Sequence, residues 1–61
     1  MVVNLIFKNV KTLKTRRVKT EVEEPNLLSF LANIKYLISI ITTFEKKEEF
    51  LIGIIDKDPI P

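Results

Sequence analysis

Residues 25–44, PNLLSFLANIKYLISIITTF, decide how the rest of the chain must be read. At about 100° per residue, Leu27, Phe30, Leu31, Ile34, Leu37, Ile38, Ile41 and Phe44 fall on one side. Ser29, Asn33, Lys35, Ser39, Thr42 and Thr43 lie elsewhere, so the spacing predicts one amphipathic helix. Pro25 suits a first helical turn, and Asn26 can cap free backbone N–H groups. Beyond Phe44 the same phase would put Glu45, Glu48 and Glu49 on the apolar side, so the helix ends there. Asn33 and Lys35 keep any uninterrupted apolar run below the ~18 residues of a membrane span. A membrane is therefore not an expected partner.

The flanks of this helix read as strands. VVNLIFKNV, residues 2–10, is apolar with little polar interruption, which predicts a strand buried on both faces and central in a sheet. TRRVKTEVE, residues 15–23, alternates: Val18, Thr20 and Val22 point one way, Arg17, Lys19, Glu21 and Glu23 the other. One charged face suits an edge strand. The link between them, VKTLK at 10–14, lacks the Asn-Gly or Asp-Gly signal of a tight hairpin. FLIGII at 50–55 is apolar on both alternating sets and short, which predicts a third strand, and Pro59 ends any ladder, leaving 57–61 as an extended tail.

The expected architecture is a single α+β domain over residues 1–61, a β-β-α-β unit. A right-handed crossover through the helix is expected to bring the third strand parallel to the first. The sheet order becomes 2-1-3, with the helix on one face. Its other face then has nothing in this chain to cover it, and a second copy or a partner is expected there.

Composition bounds the chemistry. A chain of 61 residues buries only about 60% of its unfolded surface, so small domains lean on disulfides, metals or association. There is no cysteine and no histidine, which removes disulfides and every zinc pattern built on those residues. Acid–base catalysis at neutral pH needs a His, or carboxylates or Lys shifted by burial; the acids here fall at strand edges and in connectors. Asp56 and Asp58 have a fragment of calcium-loop spacing and nothing more of it, and Ser29 and Ser39 read as solvated helix positions. No catalytic, cofactor or metal residue is expected. Association remains the expected support, as homo-oligomer or accessory subunit, and the 46% hydrophobic content points the same way. Few glycines and many Lys and Glu suit a thermophile, and the lack of cysteine suits the cytoplasm.

Charge is unevenly spread. Residues 1–19 carry Lys8, Lys11, Lys14, Arg16, Arg17 and Lys19 and no acid, +6; residues 20–61 carry four Lys and eight acids, −4, giving the net +2. Lys11, Lys14, Arg16, Arg17 and Lys19 are the candidate nucleic-acid contacts, since clustered cations release counterions from phosphates. Cations that keep an edge strand soluble explain the same pattern. Candidate protein-interface residues are Ile6, Phe50, Ile52 and Ile54 on the strands, with Leu28, Tyr36 and Ile40 off the main helical face.

Three resemblances attach to parts of this pattern. The strand-strand-helix-strand order, with VEEPNLLSFL entering the helix, resembles ubiquitin-like β-grasp sulfur carriers. Those act through a terminal Gly-Gly, where this chain has Asp-Pro-Ile-Pro, so that activity is not expected. TRRVKTEVEEPNLLSFL looks like the strand-to-helix entry of ribbon-helix-helix repressors, a resemblance that implies a second helix where FLIGIIDKDPIP stands. The two strands and helix are also similar to the dimerising subunits of archaeal transfer-RNA modification assemblies.

Overall fold

The computed structural model describes residues 1–56; the tail expected at 57–61 lies outside the described residues. The elements are β1 (Val2–Asn9), β2 (Thr15–Glu21), α1 (Leu27–Ala32), α2 (Ile34–Phe44) and β3 (Glu49–Ile55). They form a small α+β fold around a three-stranded sheet of order β2-β1-β3. β1 is central, and both neighbours run antiparallel to it. The expected parallel pairing of β1 with β3 is thus corrected. A helical crossover makes parallel the two strands that flank it, here β2 and β3. Because β2 runs against β1, β3 does too. A strand at Glu49–Ile55 also departs from the second helix of the ribbon-helix-helix pattern.

The β1–β2 link turns on a side chain. Asn9 Oδ1 accepts from the backbone N–H groups of Lys11 and Thr12 at 2.8 and 2.9 Å, an Asx-type turn, while Asn9 O accepts from Leu13 N. Leu13 then adopts a left-handed conformation at φ 62°. Asn9 takes the place of the missing Asn-Gly signal.

The predicted single helix is two. Asn33, at φ −89° and ψ 79°, closes α1 and opens α2: its N–H reaches the carbonyls of Ser29 and Phe30, and its Oδ1 accepts from Tyr36 N at 3.4 Å. Its Nδ2 donates to Glu24 Oε1 at 3.0 Å. Asn26 caps α1 as expected, accepting from Ser29 N at 2.9 Å. Short polar side chains compete for backbone groups, and here that competition resets the helical phase.

The phase change decides which residues are covered. The buried cluster is Val3, Leu5, Phe7, Val22 and Phe30, with Leu27, Tyr36, Leu37, Ile40, Ile41 and Phe44 packed against it from the helices. Leu31, Ile34 and Ile38, expected on the buried face, are exposed instead. Tyr36 and Ile40, expected off that face, are in the packing: the Tyr36 ring meets Phe30 edge-on at 5.9 Å, and its hydroxyl accepts from Glu23 N at 2.9 Å.

Candidate interaction surface

Alternation along β1 sorts the sheet into two faces. Val3, Leu5 and Phe7 belong to the covered face, with Thr20, Val18 and Arg16 beside them on β2 and with Ile54 and Leu51 on β3. Val2, Asn4, Ile6 and Lys8 belong to the other face, beside Glu21, Lys19, Arg17 and Thr15 on β2. On β3 that face carries Ile55, Gly53 and Phe50. Position 53 points the same way as Ile6, since a Cβ there would meet the Ile6 side chain at 3.8 Å, an ordinary contact.

A bulge sets the parity of β3. Ile6 pairs with Gly53 but Phe7 pairs with Leu51, leaving Ile52 as the extra residue. Phe50, Ile52 and Ile55 are exposed, whereas Leu51 and Ile54 pack on the core. Of the candidate strand contacts, Phe50 and Ile52 are therefore open, Ile6 is half-buried on the same face, and Ile54 is turned inward. Ile55 and Val2, not singled out by the sequence, are the other exposed apolar residues of this face, whereas Asn4, paired with Ile55, is buried. Strict alternation over FLIGII cannot place Ile55, because the bulge shifts everything after Ile52.

The cations divide between the faces. Arg17 and Lys19 lie on the open face, exposed, and Lys8 shares it, paired in register with Phe50. Lys14 is exposed in the turn, and Lys11 pairs with Glu48 at 3.1 Å. Arg16 faces the core side. Its guanidinium sits 5.1 Å over the Phe7 ring, donates Nε to Glu49 Oε2 at 3.0 Å and Nη2 to Glu49 Oε1 at 2.7 Å, and donates Nη2 to Phe44 O at 2.8 Å. One side chain thereby ties β2 to the end of α2 and to the start of β3. The Arg16 hydrogen bonds hold the Glu49 carboxyl below its ordinary range, and Glu49 in turn raises the Arg16 guanidinium. Arg16 is committed to the fold and is removed from the candidate nucleic-acid set. Glu49, its counterpart, lies far along the chain, and no local pattern announces it.

The helices present a second apolar surface. Leu28, Leu31, Ile34 and Ile38 are all exposed, at helical spacing across the α1–α2 break. Of these, only Leu28 was a sequence candidate. No helix among the described residues is long and apolar enough to cross a membrane, and no group of three or more potential metal ligands occurs among them. No protein-family model, curated protein or solved structure matches the chain.

Proposed function

We propose that the chain is a non-catalytic assembly module that buries the open side of its sheet against protein, as a homo-oligomer or as an accessory subunit. The observation that carries this reading is the exposure of Phe50, Ile52 and Ile55 on β3, with Val2 beside them on the face away from the helices. Small soluble monomers seldom leave contiguous apolar surface open, and a sheet face is stable when something packs on it. Its setting would be a reducing compartment such as the cytoplasm, which a chain without cysteine suits. Native-state size analysis of the chain from its own source is expected to find it in a species heavier than the 7.1 kDa monomer. A folded monomer both there and after purification sinks the proposal.

A second reading, a nucleic-acid platform, is favoured by one feature: Lys8, Arg17 and Lys19 share the open face with exposed Phe50, and Lys8 pairs with it in register. An aromatic on a cationic sheet can stack a base while the cations meet phosphates. This reading predicts binding to single-stranded oligonucleotides that falls steeply with salt. Charge reversal at Arg17 and Lys19 should abolish it, and reversal at Lys14 should weaken it. Equal binding by wild type and the Arg17/Lys19 reversal would dismiss it.

A further inference from the structure

We infer that the partner is a second copy of this chain, joined edge to edge through β3, with the Ile34–Ile38 flank of α2 closing the joint on the helical side. This rests on the assembly reading but places the contact at the rim of the open face, along the β3 edge, rather than across the face itself. The two edges of the sheet differ in charge. β2 carries Arg16, Arg17, Lys19 and Glu21, the kind of charged edge that resists strand pairing. Between Glu49 and Asp56, β3 reads FLIGII with no charge at all. Among the described residues this edge is interrupted by the bulge at Ile52, with Phe50 and Leu51 before it and Gly53, Ile54 and Ile55 after it in ladder register with β1. Of the two edges among the described residues, β3 is the one free of charge over residues 50–55, so pairing with β3 of another copy sets no charged side chain against it.

The helical layer falls into line. Tyr36 and the pair Ile34 and Ile38 lie on opposite flanks of the covered face of α2. The Tyr36 hydroxyl holds Glu23 N, just after Val22, whose own N–H donates to Met1 O and prolongs the β1–β2 ladder. The Tyr36 flank therefore leans toward β2, and the Ile34–Ile38 flank leans toward β3. A right-handed β2–helix–β3 crossover gives the same assignment. A two-fold axis normal to the sheet would set β3 antiparallel to its copy and bring the two Ile34–Ile38 flanks toward each other. The contact is isologous and closes at two copies. It also leaves the charged β2 edges at the outer ends, where they block further growth.

The area suffices for a modest dimer. Ile34, Ile38, Phe50, Ile52 and Ile55 are 63%, 57%, 44%, 49% and 40% exposed. Five such side chains, each about half exposed, offer at most on the order of 500 Å² per copy and so a ceiling of about 1,000 Å² in all, at the low end for a specific interface. Weak, concentration-dependent association is the expectation.

Sedimentation equilibrium on the purified chain tests it, with hydrogen exchange read at several concentrations. Wild type is expected to dimerise, and the β3 amides that point away from β1 should slow as concentration rises. Ile38→Glu and Ile52→Lys change exposed positions and should each weaken the dimer by about tenfold or more with circular dichroism unchanged. Val2→Lys, on the open face of β1, one strand in from the joint, should leave it intact. A dimer that survives the first two changes and is lost with Val2→Lys overturns the edge geometry and leaves assembly through the sheet face standing. A purified chain that stays monomeric at every concentration overturns the second copy as partner. Whether the assembly reading falls with it is then decided by the native-state size. Should either variant misfold, the concentration dependence of the wild-type β3 amides decides alone.

Discussion

Replacing Phe7 with alanine is expected to remove at least about half of the stability of the fold. Phe7 is fully buried on the central strand, in the cluster with Leu5 and Phe30, and it carries the Arg16 guanidinium on its ring. Removing a buried phenylalanine costs about 3–5 kcal/mol through lost transfer energy and the cavity left behind. At about 0.05–0.15 kcal/mol per residue, a 61-residue chain holds only about 3–9 kcal/mol in total. The loss is therefore comparable with the whole stability. Ile6→Ala, one residue along on the half-buried open face, is the internal control and should cost far less. Urea denaturation followed by circular dichroism reads both. A Phe7→Ala protein that keeps a native spectrum and a nearly unchanged midpoint would show that the core is centred elsewhere. If β3 pairs as inferred, the wild-type midpoint also rises with protein concentration, since association adds to the stability of the folded state.

How far the sequence carried can be read from particular residues. The largely apolar run of VVNLIFKNV was enough to make β1 central, and the alternation in TRRVKTE was enough to make β2 an edge. That alternation also separates Arg16 from Arg17 and Lys19, so the division of the cations was available in the spacing. Three other features were not, each because a local device reset a period. Asn33 restarted the helix, which pulled Tyr36 and Ile40 into the core and released Ile34 and Ile38. The bulge at Ile52 shifted the parity of β3, turning Ile54 inward and Ile55 outward. Asn9 makes the hairpin turn with its side chain in a link that lacks the Asn-Gly or Asp-Gly signal. In each case periodicity located the element, and one residue within or beside it set its direction. The open surface is where such resets matter most, because a shift of one residue exchanges what is buried for what is offered to a partner.

Glu49 was beyond any local pattern, and the second large effect is expected at its pair with Arg16. Arg16→Ala removes the donors to both Glu49 oxygens and to Phe44 O, and leaves a carboxylate with a side-chain exposure of only 8% without its cation. Unmaking a charged hydrogen bond while its partner stays shielded costs more than the bond itself contributes. The thermal midpoint should drop by at least several degrees, several times the effect of Arg17→Ala on the opposite face. The pair also fixes a pH dependence. The Glu49 carboxyl is held below its ordinary value when folded, mainly by the Arg16 hydrogen bonds. The unfolded chain therefore binds the proton more readily than the folded one, so stability is present above the ordinary glutamate range and drains away as pH falls through the folded value. Glu49→Gln is expected to be less stable than wild type at neutral pH, and the difference should narrow as pH falls below the ordinary glutamate range. Chemical denaturation at a series of pH values measures that difference directly. A gap that stays constant down to strongly acid pH would mean that the charge on Glu49 adds nothing to the fold and that Arg16 is held chiefly by Phe44 O and the Phe7 ring.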